Sequence, residues 1–267
     1  MKVSIVVSTQ PAQFEAATFK GDLAANLERI SGLGYDGVEL AIRDPRLVNT
    51  DDLTAMLERR GLEAPAIGTG QAWGEESLSF TDANPDIRRT AIERIKSHLP
   101  LANRLGAIVI LGLIRGTLRP GVEHDQAMAL LVEALRECSA AASEAGVRLA
   151  LEPINRYETT LINTVAEGLE LIERVGADNF GLLLDTFHMN IEEPSIEESM
   201  RKAKERIFHF HVADSNRRYP GAGHTDFPAI LGLLKESGYS GYVSGEFLPL
   251  PDAATAAKKA ISYLRAI

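Results

Sequence analysis

Cysteine and long apolar runs are scarce in this sequence, and each absence excludes a class of protein. The 267 residues include one cysteine, Cys138, so neither an internal disulfide nor a metal site of cysteines alone can form. Cys138 lies in the helical pattern LRECSAAASEAG, which favours a packing role. No apolar run reaches the roughly 20 residues of a membrane span, and the apolar part of MKVSIVVSTQ is too short for a secretory signal. We therefore expect a cytoplasmic protein without a membrane partner.

Basic charge is also in short supply. The chain has 28 Lys and Arg against 37 Asp and Glu, a formal net charge of −9. Nucleic acids and anionic membranes are bound mainly through basic surface, so this balance argues against both as partners. Hydrophobic residues make up 45% and charged residues 24%, which is typical of a globular chain with a sizeable core. No linker-like or low-complexity segment divides the chain, so we predict one domain over residues 1–267.

What the sequence does have is a regular alternation of short apolar runs and long amphipathic stretches. The runs predict eight strands, at 2–7, 36–42, 63–69, 107–112, 147–152, 180–185, 206–212 and 241–246. The stretches predict helices at 22–34, 50–61, 85–106, 123–146, 163–175, 195–204, 227–237 and 252–266, with a polar loop at 71–85. Strict alternation predicts an α/β fold with a parallel sheet, and eight pairs match a (β/α)8 TIM barrel. An open doubly wound sheet is the alternative, but no G-x-G-x-x-G turn follows the first strand.

Four of the predicted strands end in a polar residue at equivalent positions. The fifth, sixth and eighth strands end in Glu152, Asp185 and Glu246, and the seventh reaches His211; in chain order these residues are 33, 26 and 35 residues apart. One strand–helix unit of such a barrel is about 30 residues, so these residues occupy similar heights on successive strands. Active sites of this fold lie at the carboxyl ends of the strands. We therefore expect the four side chains to converge.

Three converging carboxylates repel one another unless a cation neutralises them. Three oxygen ligands and one imidazole suit a divalent ion, with Mn²⁺ preferred and Mg²⁺ or Co²⁺ as alternatives; zinc more often takes His- or Cys-rich sets. His209 shares a strand face with His211 but lies one layer deeper, which indicates a core histidine. Glu39 ends the second strand facing inward, and two roles stay open for it, support of a ligand or anchoring of a loop.

The residues around these strand ends resemble those of a known family. The matching stretches are EPINRYETTLINT (152–164), LLLDTFHMNIEE (182–193), HFHVADSNRRYPGAGHTDF (209–227) and GEFLPLP (245–251). Together they resemble the ketose 3-epimerases of the D-tagatose and D-psicose type, within the xylose isomerase-like TIM barrels. The resemblance implies the same four metal ligands and makes Glu152 and Glu246 the catalytic acid–base pair. It further implies that Glu158, His188 and Arg217 contact substrate, and that the chain forms a dimer or tetramer.

The amino-terminal half departs from the free-sugar epimerases. Its stretches FKGDL (19–23), AIRDP (41–45), AIGTGQA (66–72) and LGLIRG (111–116) resemble a branch that acts on keto-sugar acids, such as 5-keto-gluconate epimerase. Arg115 follows the fourth strand and Arg43 follows the second, so either guanidinium would be placed to clamp a substrate carboxylate. The alternative for both is a surface or loop-anchoring arginine, since arginine is mostly exposed.

Other residues near the strand ends are weaker candidates. Sugar-stacking or pocket-lining positions are Gln71, Trp73, and Phe14 or Phe19. In the segment 208–227, we expect Phe208 and Phe210 to face the surrounding helices. We expect Asp214 and Ser215 to shape the loop, and Arg218 to be solvated. His224 is open between a loop anchor and the pocket.

The resemblance implies epimerisation of a ketose or keto-sugar acid at the carbon next to the ketone, through an enediolate, and two glutamates flanking the substrate would supply the proton transfers that this reaction needs. A hydroxypyruvate isomerase-like aldose–ketose isomerase is the alternative, since it shares the EPIN and DxxHM strand ends. A remote third is an endonuclease IV-like repair enzyme on the same fold. That chemistry needs several zinc ions and a basic surface, which six histidines and a net charge of −9 do not favour.

Overall fold

The computed structural model describes residues 1–118 and 121–267. Its eight strands are all parallel and form a closed barrel in chain order, in which β1 pairs with both β2 and β8. The strands are β1 Lys2–Ser8, β2 Gly37–Ala41, β3 Ala66–Gly68, β4 Ile108–Leu111, β5 Leu149–Leu151, β6 Phe180–Asp185, β7 Ile207–Val212 and β8 Tyr242–Gly245. The predicted (β/α)8 TIM barrel is therefore confirmed.

Helices separate successive strands. In the described part of the chain they are α1 Leu23–Gly32, α2 Thr50–Glu58, α3 Gln71–Glu76, α4 Pro85–Leu105, α5 His124–Glu144, α6 Val165–Val175, α7 Thr186–Glu192, α8 Ile196–Ala203, α9 Phe227–Glu236 and α10 Ala253–Ala266. Side chains at the helix starts satisfy free backbone N–H groups. For example, Thr164 and Glu167 form a reciprocal capping box at α6. None of the helices described here is long and apolar enough to cross a membrane.

Two short helices differ from the expected pattern, and both lie at the carboxyl end of the barrel. The segment expected as a polar loop begins with α3, which follows β3 after two residues. The second, α7, starts directly after β6, where the Asp185 carboxylate accepts a hydrogen bond from the backbone N–H of Phe187 at 2.7 Å. Both are under two and a half turns long, too short to produce a clear 3.6-residue period in the sequence.

The expectation for Phe208 is wrong, and a β-bulge is the reason. The register between β6 and β7 shifts after Leu182 pairs with Ile207, because the next pair joins Leu183 to His209. An extra residue reverses the alternation of side chains. Phe208 consequently packs against the apolar residues inside the barrel, Ala66, Ile108, Ile110, Ala150 and Leu183. Phe210 follows the expectation and belongs to the larger core between strands and helices.

This inner apolar layer is the floor on which the polar strand ends lie. Alternation along each strand places Glu152 two residues beyond Ala150, and Asp185 two residues beyond Leu183. The rest of the core, including Cys138, fills the space between the barrel and its helices. Burial raises the pKa of the Cys138 thiol to about 12, in keeping with the packing role expected for it.

Candidate active site

The four polar strand ends meet at the carboxyl-terminal mouth of the barrel. One ligand atom from each of Glu152, Asp185, His211 and Glu246 lies within 4.8 Å of the other three, and all four residues are buried. His211 Nδ1 is at the centre of the group. It lies 3.7 Å from a carboxylate oxygen of Glu152, 3.8 Å from Asp185 and 3.7 Å from Glu246. The sequence spacing thus predicted a real cluster, which we call the carboxylate cluster.

Glu39 holds the imidazole at the centre of this cluster. Its Oε2 atom lies 2.8 Å from His211 Nε2 and 2.9 Å from His209 Nε2. Burial alone would raise the pKa of the Glu39 carboxyl, but the charge of His211 and hydrogen bonds from both rings hold that pKa well below its usual range. Because His211 Nε2 is bonded to this carboxylate, Nδ1 is the ring atom left to face the cluster. Glu39 therefore supports the cluster, one of the two roles left open for it.

The cluster has the properties of a divalent metal site. Glu152 Oε1 and His211 Nδ1 are buried and have no hydrogen-bond partner among the residues that the structure describes. Burial, aided by the negative charge of Glu246, raises the pKa of the Glu152 carboxyl to about 7. The carboxylates of the cluster therefore carry more negative charge than the neighbouring basic side chains neutralise. Three carboxylates and one imidazole can hold a hard or borderline divalent cation in this position.

Arg217 closes one side of the cluster. Its guanidinium donates a hydrogen bond of 2.6 Å to Asp185 Oδ2 and a second one to Glu246 Oε2. The same group lies 4.7 Å from the centre of the Phe187 ring. The backbone of Arg217 has a φ of 60°, a left-handed conformation that side chains rarely adopt and that its loop must enforce.

Asp214 organises that loop. Its buried carboxylate accepts hydrogen bonds from the backbone N–H groups of Ser215, Gly221 and Thr225, at 2.8, 2.8 and 3.2 Å. A Cβ atom at Gly223 would lie 2.2 Å from the same carboxylate, so only glycine fits there. Asp214 therefore shapes the loop, as the sequence suggested. His224 is exposed and contacts Ser215 Oγ at 3.0 Å, which makes it a loop anchor.

His188 also contacts the cluster, and an asparagine that the sequence analysis did not single out holds it in place. His188 Nε2 is 3.6 Å from Glu152 Oε1, and Nδ1 is 2.7 Å from the side-chain amide of Asn155. Burial lowers the pKa of the His188 imidazole to about 3, so the ring is neutral. The same Asn155 amide donates a hydrogen bond of 2.9 Å to Glu158 Oε1. Asn155 stands in the quoted EPIN motif, which was the signal available for finding it.

A cavity of about 320 Å³ opens above the cluster. It brings together Glu152, Glu158, His188, His211, Arg217 and Glu246. Phe14, Gln71 and Trp73 line its outer wall, and Gln71 is fixed by a 2.8 Å hydrogen bond to Ser8 Oγ. Phe19 is not part of this wall, because it is 1% exposed and packs in the main core.

Arg115 and Arg43 are placed differently from the carboxylate clamps expected of them. The Arg115 side chain is fully buried, lies outside the cavity lining, and donates to the backbone carbonyl of Glu152. The Arg115 side chain follows β4 but does not face the cavity. Its bond to the Glu152 carbonyl oxygen supports the end of β5 instead. Arg43 pairs with Glu76 at 3.4 Å and also lies outside the lining. Arg217 is consequently the one Arg or Lys among the cavity-lining residues that the structure describes.

The fold and the cluster agree with what comparison with known proteins finds. A family model described as the xylose isomerase-like TIM barrel matches residues 27–267, and the chain belongs to this family. An L-ribulose 3-epimerase from Mesorhizobium japonicum is 33% identical over 236 residues, which are 87% of this chain and 78% of the relative. A 3-dehydro-D-guloside 4-epimerase from Escherichia coli is 28% identical and covers 93% of this chain and 96% of its own.

Solved structures give the same answer. A D-psicose 3-epimerase with D-tagatose from Clostridium cellulolyticum superposes with a TM-score of 0.86 and 26% identity, over 100% of this chain and 99% of the other. The resemblance to ketose 3-epimerases is therefore confirmed, and so is the expectation of an enzyme of the isomerase class.

Proposed function

We propose that the protein is a divalent metal-dependent epimerase that inverts the carbon next to the ketone of a ketose, with residues 1–267 acting as one catalytic domain. The observation that carries this proposal is the pair of buried carboxylates of Glu152 and Glu246, each 3.7 Å from His211 Nδ1. They come from β5 and β8, three strands apart in the ring. Inversion needs one proton-transfer group on each side of the reacting carbon, and this arrangement supplies both.

In the proposed reaction, one glutamate takes the proton from the carbon next to the ketone, and the electron pair of the broken C–H bond moves towards the carbonyl oxygen. The other glutamate, in its acid form, returns a proton to the opposite face. The two directions of the reversible reaction use the pair in opposite order.

The remaining proposed roles follow from the groups that face the cavity. Glu152, Asp185, His211 and Glu246 would hold the metal ion, Mn²⁺ in preference to Mg²⁺ or Co²⁺, and the bound ion would polarise the substrate oxygens. His188 and Arg217 donate hydrogen bonds to oxygens that become negative, and Glu158 accepts one from a hydroxyl. Donors aimed at developing charge in a buried site act selectively on the transition state.

We also propose that the substrate is a neutral ketose and not a keto-sugar acid. Glu75 and Glu158 line the cavity in addition to the carboxylate cluster and Glu39, whereas Arg217 is already bonded to two carboxylates. Outside the metal site, a substrate carboxylate would therefore meet like charge, and the described cavity lining offers it no Arg or Lys other than the already paired Arg217. Relatives named as ketose 3-epimerases support the neutral class. A homo-oligomer, dimer or tetramer, is the expected state.

The decisive experiment follows hydrogen exchange in deuterated water by NMR, with Mn²⁺ for turnover and Mg²⁺ for recording spectra. We expect deuterium at the carbon next to the ketone, together with inversion there. Glu152→Gln or Glu246→Gln should each lower kcat by about 10²- to 10⁴-fold, because an acid–base group is lost. Glu75→Gln, which removes a cavity carboxylate outside the cluster, is the control and should keep most of the activity. Exchange without inversion, with an aldose as product, would instead indicate the hydroxypyruvate isomerase-like reaction.

Metal removal and substrate charge are tested on the same protein. EDTA should abolish conversion, and added Mn²⁺ should restore it, since the carboxylates of the cluster need a cation. A ketohexose should be converted with a higher kcat/KM than the keto-hexonate of matching stereochemistry. Equal or greater kcat/KM on the acid would refute the neutral class, and unchanged conversion after complete metal removal would refute the metal requirement.

A further inference from the structure

The Asn155 side chain makes three polar contacts from one buried position, and together they leave it a single orientation. Its Oδ1 accepts a hydrogen bond of 3.0 Å from the backbone N–H of Tyr157. Its Nδ2 lies 2.9 Å from Glu158 Oε1, and a carboxylate oxygen can only accept. A flipped amide would face a donor with a donor and an acceptor with an acceptor. The Nδ2 group therefore points towards Glu158 and, at 2.7 Å, towards His188 Nδ1.

This orientation determines where the proton lies on His188. An amide NH₂ is a donor only, so His188 Nδ1 must accept and carry no proton. The backbone N–H of Asn155, 3.5 Å from the same ring atom, points to Nδ1 as a second donor. In a neutral ring the proton is then on Nε2. That atom faces the cavity and lies 3.6 Å from Glu152 Oε1.

We propose that Asn155 is a positioning residue that locks His188 in its Nε2–H tautomer and holds Glu158 against the same amide. His188 then presents a hydrogen-bond donor to the cavity, whereas the other tautomer would present a lone pair to an oxygen that becomes negative during the reaction. The consequence for turnover rests on the proposed function; the tautomer itself does not. Asn155 acts through His188 and Glu158 and does not line the cavity itself.

The same loop offers a matched control. Asn163 also uses a side-chain amide as a double donor, to the carbonyl oxygens of Ile154 at 2.7 Å and Thr159 at 2.9 Å. It fastens the loop that carries Asn155 but does not touch His188. Asn155→Asp and Asn163→Asp therefore make the same chemical change, and both remove loop contacts. Only the first replaces the donor at His188 Nδ1 with an acceptor.

The test reads ring protonation directly, by long-range ¹H–¹⁵N NMR of labelled protein, metal-free and loaded with Mg²⁺, with His188→Gln to assign the signals. Wild type should show a bare Nδ1 and a protonated Nε2. Asn155→Asp should protonate Nδ1 and lower kcat about 100-fold, the scale of losing one donor to developing charge, with KM changed less than kcat. Asn163→Asp should keep the wild-type pattern and most of kcat, even if its Tm falls.

Two results would overturn the inference. A protonated Nδ1 in wild type refutes the lock without need of any variant, so a poorly folding variant cannot leave the question open. An unprotonated Nδ1 in Asn155→Asp, with the same kinetics as Asn163→Asp, would reduce Asn155 to a loop contact. If wild type has the expected tautomer but converts no ketose, the proposed function fails and the tautomer lock stands.

Discussion

Glu39 lies beneath the carboxylate cluster and bonds both histidines of β7. A carboxylate that accepts from the outer nitrogen of a ligand histidine fixes the ring's orientation and raises its basicity, and its loss commonly lowers metal affinity 10- to 100-fold. We expect Glu39→Gln to weaken Mn²⁺ binding by about that factor. Both rings bond the same oxygen, Oε2, so the amide oxygen of glutamine can still accept from both, but the negative charge that raises the basicity of His211 is lost. Isothermal titration calorimetry of metal binding to the variant gives the measurement.

His209 provides the comparison for this prediction. His209→Gln removes the deeper ring but leaves the bond between His211 and Glu39, so we expect Mn²⁺ affinity to fall much less. Both changes lie in the interior and both can lower Tm. If Mn²⁺ affinity falls in proportion to Tm, and by the same proportion in both variants, then Glu39 acts only through the stability of the fold.

At the scale of elements, α3 shows how a wall of the cavity is kept in place. This helix carries Gln71 and Trp73, and its last residue, Glu76, is tied from behind by Arg94 on α4 at 2.7 Å. Arg94 is only 6% exposed and also donates to the carbonyl oxygen of Arg43 at 2.7 Å. Three segments therefore meet on one buried guanidinium. The part of the cavity wall that α3 carries is thus held by residues outside the cavity, and substitutions of those residues do not alter the cavity lining directly.

We expect Glu76→Gln to raise KM for the ketose about threefold to tenfold, on the order of 1 kcal/mol, with a smaller change in kcat. The variant loosens the wall but leaves the acid–base pair intact. The control is Glu137→Gln, whose carboxylate has nearly the same exposure, 34% against 32%, but pairs with the more exposed Arg89 and Lys96. Steady-state kinetics of both decide the matter. Equal KM values in the two variants would contradict the role of α3.

At the scale of the whole molecule, the features that follow from the repeating strand–helix unit could be predicted from the sequence. Local irregularities that interrupt this repeat could not. The barrel and the convergence of Glu152, Asp185, His211 and Glu246 both follow from a unit of about 30 residues. The bulge that turns Phe208 inward shifts the register by one residue, which alternation along a single strand does not reveal. The burial of Arg115 was missed because a short 3₁₀ turn, Leu113–Arg115, re-aims its side chain after β4.

The interactions around Asn155 and Glu39 are also among the features that the sequence could not predict. The contact between Glu39 and His211 spans 172 residues of sequence, and the contact between Asn155 and His188 spans 33. The sequence separation of neither pair identifies it as a contact, because polar residues at strand ends are common. The sequence could predict that Glu152, Asp185, His211 and Glu246 reach the mouth of the barrel. Which atom of each faces which neighbour depends on tertiary packing.

The two halves of the chain contribute different residues to the site, and this has a practical consequence. The whole carboxylate cluster, with Asn155, His188 and Arg217, comes from β5 to β8 and the segments after them, whereas Phe14, Gln71 and Trp73 follow β1 and β3. The residues proposed for proton transfer and metal binding thus lie in the second half of the sequence, whereas these three side chains of the cavity wall lie in the first. A chimaera that exchanges the first half with that of a relative would therefore change this part of the cavity wall and keep the carboxylate cluster, provided that the incoming half brings a carboxylate at the position of Glu39.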